Sequence, residues 1–293
     1  MSMARFETVV IVDWSAAAKP TPARPSTDAI WIGVAESQGV NSFYHRTRAA
    51  AEIALIQILE TASQAGRRVL LGFDFPFGYP HGFAERLTGT TGAPAIWTWM
   101  QRHVIDGTDN ANNRFALADQ INAGFGGAGP FWGRPSGLAL RHLTERKTVD
   151  YRALGLIERR QVEIVLPRSQ PVWKLYTTGS VGSQSMMGLP VVARLTARFG
   201  AAVWPFDACL EAPLVLAEVY PSLIDPAVQH ATTLGEIKDA AQVRLLAHAL
   251  WQMGQSGNQL EEVLKDVPEW PGRADEGWIL GAGHAEKLIG ALR

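Results

Sequence analysis

Cysteine is nearly missing from this chain. Cys209 stands alone among 293 residues, which excludes an intrachain disulfide and a thiolate metal cluster. Long apolar runs are missing as well: none comes near the roughly 20 residues needed to span a bilayer. The opening MSMARFE lacks the basic-then-apolar pattern of a secretory leader. The expectation is a soluble, cytoplasmic protein with no membrane partner. His81, His103, His142, His230, His248 and His284 share no short ligand spacing of the HExxH kind, so zinc chemistry is not expected. A net charge of −1 is not that of a general nucleic-acid coat.

What is present is material for a core. The hydrophobic fraction is 47% and the charged fraction 19%, as in a compact globular protein, and the length suits one large domain or two modest ones. Several of the 10 Trp sit beside Pro or Gly and point to rigid, aromatic-lined loops. Charge is unevenly spread. Residues 134–174 carry nine Lys/Arg against four Asp/Glu, and residues 207–276 carry twelve acidic against four basic side chains. That asymmetry fits an anionic substrate held by the middle segment and a carboxylate-rich centre built partly from the last one. Two solvated surfaces would give the same counts.

Residues 8–12 (TVVIV) form a β-branched run without a helical period and read as a buried strand ending at Asp13. Residues 29–35 and 40–45, parted by a turn at Gly39, read as a hairpin beside it. A helical spacing over 47–65 stops at Gly66, and a short apolar strand over 68–73 ends at Asp74 in the stretch GFDFPFGYP. The order is βββαβ, and a helical crossover lays the fourth strand parallel to the first. Residues 81–171 break the pattern, with helical stretches at 95–105 and 113–123, a glycine-rich segment at 124–137, and then the basic segment. They read as a cap inserted over the sheet end, leaving 1–80 and 172–293 as an α/β core with a mixed sheet. In that core, 172–176, 202–206 and 214–219 read as strands, and 182–199, 237–253, 259–267 and 277–292 as helices. There is no internal repeat.

Asp13 closes the first strand and Asp74 the fourth. If those strands are parallel neighbours, both carboxylates meet at the carboxyl edge, where open α/β sheets bind ligands. Glu218 lies near the end of a third strand-like run, Asp239 opens a helix, and Asp275-Glu276 opens the last one. Carboxylates gathered in one place repel unless compensated. Mg²⁺ or Mn²⁺, which favour carboxylate and water oxygens, would compensate them and could act on a phosphodiester. Asp239 and Asp275 are also ordinary first-turn acids that favour a helix N-terminus.

Taken together, IVDWS with Asp13, the βββαβ order, DFPFG with Asp74, EVYP with Glu218 and KDAAQ with Asp239 resemble the DUF429 family. The resemblance covers most of the chain outside about residues 85–170. It implies an RNase H-like fold and a metal-dependent nuclease, with Asp13, Asp74, Glu218 and Asp239 as the metal-ligating and catalytic acids. The family's C-terminal helix more usually carries an Asp-rich DALDALA pattern. Here the corresponding stretch runs Trp278-Ile279-Leu280-Gly281-Ala282, a departure from a ligand role. Chains of this kind are also linked to molybdopterin guanine dinucleotide assembly.

For an anionic phosphate-containing substrate, a nucleic acid or a nucleotide, the candidate contacts are Arg168, Lys174 and Lys19, with Ser180 and Ser183 at a helix start. Ser180 and Ser183 are equally ordinary N-caps. Gly179-Ser180-Val181-Gly182-Ser183 is not followed by Gly-Lys-Ser/Thr, so it is no P-loop, and there is no Gly-x-Ser-x-Gly elbow. Trp97, Trp99, Phe131 and Trp132 either stack on bases or pack the cap. Three readings follow: a metal-dependent phosphodiester hydrolase, a nucleotide- or cofactor-binding accessory protein without turnover, and an actin-like ATP-dependent phosphotransferase. The last needs a second copy of the fold and a glycine-rich phosphate hairpin, and the sequence offers neither.

Overall fold

The β-branched and aromatic runs become strands where the sequence places them. In the computed structural model, residues 5–293 are described; residues 1–4, part of the stretch read above for a leader, lie outside them. Strands β1 (Thr8–Asp13), β2 (Ile30–Glu36) and β3 (Gly39–His45) form an antiparallel meander, followed by helix α1 (Arg48–Gln64) and strand β4 (Val69–Phe73). The insertion contributes α2 (Phe83–Thr88), α3 (Ala93–His103), α4 (Arg114–Gly124) and α5 (Gln161–Val165). Then come α6 (Val181–Phe199), β5 (Ala202–Trp204), β6 (Leu214–Glu218), α7 (Asp225–Thr233), α8 (Lys238–Gln255), α9 (Gln259–Lys265), α10 (Arg273–Glu276) and α11 (Ala285–Gly290).

The six strands make one mixed sheet in the order β3-β2-β1-β4-β6-β5. β1 pairs antiparallel with β2 and parallel with β4, and β6 runs parallel to both β4 and β5. Alternation of side chains along each strand gives two separate cores. Val10, Val12, Leu71, Phe73, Leu214 and Leu216 face a layer that includes Leu55 and Leu59 of α1, Leu189 and Val192 of α6, and Phe83, Trp97 and Phe131 of the insertion. Val9, Ile11, Leu70, Val215 and Ala217 face the other way, onto Ala241, Val243, Ala247 and Leu250 of α8 and onto the C-terminal segment. No helix among the described residues is long and apolar enough to cross a membrane.

Two expected elements differ. Residues 172–176 are not a strand: Trp173 is buried in the aromatic cluster, and only Lys174 makes an isolated bridge, to Trp132. Of the helix expected over 277–292 only α11 forms, with α10 ending just before that range, because Gly277, Gly281 and Gly283 all adopt positive φ. Two further elements after EVYP, a 3₁₀ helix (Pro221–Ile224) and α7, have no counterpart in the sequence pattern. Pro221 and Pro226 occupy the first turns of this 3₁₀ helix and of α7, positions where a missing N–H costs nothing.

Helix α8 lies close on the sheet because β2 has a glycine under it. A methyl at Gly33 would lie 2.4 Å from the Val243 carbonyl oxygen, inside the helix backbone. Gly33→Ala is therefore expected to force α8 off the sheet and cost at least about 2 kcal/mol. A denaturant midpoint unchanged from wild type would contradict this packing.

Candidate functional site

Strand parity decides which acids meet. Asp13 follows Val9 and Ile11 at two-residue intervals, and Asp74 follows Leu70 and Gly72, so both project on the α8 face. Glu218 pairs in register with Phe73 and follows Leu214 and Leu216, which places it on the opposite face. Parallel pairing of Val12 with Phe73, continued by the Asp74 N–H donating to the Val12 carbonyl at 3.1 Å, sets the two aspartates side by side.

The Asp13 and Asp74 carboxyls are hydrogen-bonded to each other. Burial, then the Asp74 charge, then that of Asp239, pushes Asp13 well above the usual carboxylate range. Burial pushes Asp74 up to about 7, opposed by the Trp14 N–H that donates to its Oδ1 at 2.7 Å. Both carboxyls therefore hold protons more tightly than ordinary aspartates, and they titrate as a pair rather than singly. On its other side, the Gln184 amide reaches Asp74 Oδ2 at 3.4 Å and donates to the Trp14 carbonyl. Trp14, Gln184 and the aspartates thus form one fixed unit at the ends of β1 and β4.

Asp239 approaches from above, in the first turn of α8, where the helix N-terminus favours a carboxylate. It accepts the Asp28 N–H at 2.7 Å, and burial raises its affinity for a proton. Asp28 itself sits in the left-handed region, at φ 56°, in the loop between β1 and β2. That loop is clamped from below by Arg48, which spends all five donors: two on Asp106, at 2.6 and 2.7 Å, and the rest on the Ser15, Ala17 and Asn110 carbonyls.

These residues border a cleft of about 750 Å³ between the 14–29 loop and the 175–184 segment, with Asp13, Asp28 and Asp239 on one side and Ser180, Ser183 and Gln184 on the other. Arg114, the first residue of α4, also lines it. Its Nε donates to Ser183 Oγ at 3.1 Å and its Nη1 to Asn112 Oδ1 at 2.7 Å. Burial, with the Arg48 charge nearby, lowers its proton affinity to about 10. Among the described residues no Lys, Arg or His forms an ion pair with Asp13, Asp28, Asp74 or Asp239, and no carboxylate pairs with Arg114. Nor do three His, Cys, Asp or Glu side chains lie close enough together to enclose a metal ion unaided.

The remaining candidates lie elsewhere. Glu218 is 2% exposed, and both its oxygens take the Arg160 guanidinium, at 2.6 and 2.8 Å, while one also accepts the Phe77 N–H at 3.0 Å. Asp275 accepts from the Gly92 N–H at 2.6 Å and lies 2.6 Å from His81 Nδ1, and Glu276 accepts the Gln161 N–H at 2.7 Å. All three acids hold backbone. Arg168 pairs with Asp225, and Lys174 donates to the Thr178 carbonyl. Lys19 is exposed and does not line the cleft. Ser180 occupies the N-cap of α6 without a side-chain cap bond, and Ser183 donates to the Leu175 carbonyl. Trp97 and Phe131 are buried in the core.

Asp28, Arg114 and Gln184 were not singled out by the sequence. Arg114 and Gln184 follow no motif, and Asp28 closes a loop with no pattern of its own. Compared with protein-family models, curated proteins and solved structures, the chain matches none.

The aspartate pair carries a stability consequence. A carboxyl raised in the folded state stabilises fully below its unfolded value and loses that contribution as pH climbs through its folded value. Metal-free Asp74→Asn keeps an acceptor for the Trp14 N–H and removes the ionisation penalty. It should be more stable than wild type by about 1–3 kcal/mol near pH 8, a gap that closes toward about pH 4. Melting temperatures recorded across that range, with the variant no more stable at the alkaline end, would contradict the raised proton affinity.

Proposed function

We propose that this protein is a metal-dependent hydrolase of a phosphodiester or related phosphate substrate, built on an RNase H-like fold. One observation carries the reading: Asp13, Asp28 and Asp239 line a single cleft with Asp74 beside Asp13, and among the described residues no Lys, Arg or His forms an ion pair with any of the four. Acids kept for stability would be paired, as Glu218 is with Arg160. The βββαβ order, with β1 and β4 parallel neighbours, agrees with the resemblance read from IVDWS and DFPFG.

The donor set fits a hard divalent ion. It consists of carboxylate oxygens opening onto a wet cleft, with no thiolate or imidazole among the lining residues. Asp13 and Asp74 would hold Mg²⁺ or Mn²⁺ together with water, with Asp239 orienting the attacking water. When bound, such an ion supplies charge compensation and a more acidic water. Trp14 N–H and Gln184 fix the Asp74 carboxylate. Asp239, with its raised proton affinity, is placed to take a proton from the attacking water. Glu218 has no part in this site, since both of its oxygens are engaged on the opposite sheet face.

Calorimetric titration with Mn²⁺ tests the reading. Wild type should bind, and Asp74→Asn should bind at least about tenfold more weakly, the loss of one charged ligand contact. Affinity should rise from about pH 6 to about pH 8, because protons held by Asp13 and Asp74 must leave. A phosphodiester panel then reads turnover. Absence of a Mn²⁺ heat in wild type would sink the mechanism, and binding without hydrolysis of any substrate would favour the accessory reading.

A further inference from the structure

The acids of the cleft face a cation that no protein anion uses. Arg114 stands at the first position of α4, an eleven-residue helix, where the macrodipole disfavours positive charge. It lies near a second guanidinium, Arg48, which lowers its proton affinity further. Its partners, Ser183 Oγ and Asn112 Oδ1, are neutral, and they orient the guanidinium without discharging it. The guanidinium carbon also lies over the Phe115 ring, 4.3 Å from its centroid.

The cleft is also small and carries few cations. Its volume of about 750 Å³ falls within the range of small-molecule sites, roughly 300–1,000 Å³. A polymer reader needs a track of Lys and Arg along the phosphates and a series of aromatic platforms. Among the described residues Arg114 is the only Lys or Arg lining this cleft. The basic segment that promised such a track does not supply one: four of its nine Lys/Arg pair with acids, Arg134 with Glu145, Lys147 with Glu158, Arg160 with Glu163 and Glu218, and Arg168 with Asp225, and the exposed Arg141, Arg146 and Arg152 do not line the cleft. Of the two aromatics lining the cleft, Trp14 is buried and Tyr176 is 42% exposed, enough for one ring to lie on.

We propose that the cleft takes a small phosphate ester of about single-nucleotide size, whose phosphate is anchored by Arg114 across from the aspartates. This rests on the hydrolase reading of the same cleft and narrows its substrate class from phosphodiesters in general to monomeric ones. Ser183 and Asn112 are positioning residues for the anchor, and Tyr176 offers the face for a base.

The test compares binding of a nucleoside 5′-monophosphate and of a 12-nucleotide single strand, with Mn²⁺ present, to wild type, Arg114→Gln and Arg114→Lys. Thermal melts confirm that each variant is folded. Wild type should bind the monophosphate, and Arg114→Gln should bind it at least about tenfold more weakly, as for loss of a charge-assisted contact. Arg114→Lys, which keeps the charge but not the fork, should fall between them. The oligonucleotide should bind no more than a few-fold tighter than the monomer, with a log–log salt slope near about −0.7, one phosphate contact. Unchanged affinity in Arg114→Gln overturns the proposal. So does a wild type that binds neither probe, or a slope steeper than about −3, which reads a polymer track. The two readings fail separately: loss of the Mn²⁺ heat in wild type strikes the metal, whereas an Arg114→Gln variant that still binds both Mn²⁺ and nucleotide strikes only the anchor.

Discussion

One buried guanidinium holds the carboxyl end of the sheet together. Arg160 is 1% exposed and comes from the insertion, just before α5. It bonds Glu163 within its own segment, both oxygens of Glu218 at the end of β6, and the Glu276 carbonyl in the C-terminal segment. An unpaired charge at that depth would cost several kcal/mol, so none of these elements is free to drift from the others. Through Glu218 the same node reaches the Phe77 N–H, and so the turn that follows Asp74. The turn is pinned twice more, by the Trp97 indole on the Phe77 carbonyl and by the Tyr79 N–H on the Asp275 carbonyl. Gly78 is required there because a side chain would meet that carbonyl at 2.2 Å. The rigid turn is what fixes Asp74.

The same sheet edge thus carries acids of two kinds, separated by a single step in register. On one face Glu218 is neutralised by Arg160, and Asp275 and Glu276, close by in the C-terminal segment, are consumed by backbone amides and by His81 and Trp270. On the other, Asp13 and Asp74 have only each other and neutral donors. The alternation that makes each strand half apolar inward and half apolar outward sorts them. A shift of one residue in β6 would exchange Glu218 with Val219 and bring a third acid to the aspartates. The register of Phe73 with Glu218 prevents it.

This explains what the sequence could and could not reveal. Asp13 and Asp74 were legible because each ends an apolar run, and the βββαβ order makes those runs parallel neighbours. Asp239 was legible from the helix start, although the same pattern fits a plain first-turn acid. Glu218 looked equivalent because it too ends a strand, yet which face it takes depends on register between strands 145 residues apart in sequence, Phe73 and Glu218. Its partner Arg160 lies in a segment with no periodicity. Arg114 was hidden among eighteen other charged side chains of residues 81–171, and only the fold shows that it alone among them lines the cleft. The resemblance pointed to the acids and was silent on residues 85–170, the region that supplies both arginines.

Stability alone does not account for the cleft. Two carboxyls buried side by side, an aspartate in the left-handed region and an arginine at a helix N-terminus each lower the stability of the protein. Ion pairs elsewhere in the chain show how readily such charges are neutralised when nothing prevents it: Glu236 with Arg244 and Glu52 with Arg194 are joined through two bonds each. Within the cleft the positive and negative groups instead line the same space without pairing, each held by neutral donors and acceptors. A closed pair would fill the volume that a ligand needs. Held apart, the aspartates have no ion-pair partner and neither has Arg114 among the described residues, and the metal-bound phosphate ester proposed above would satisfy both at once.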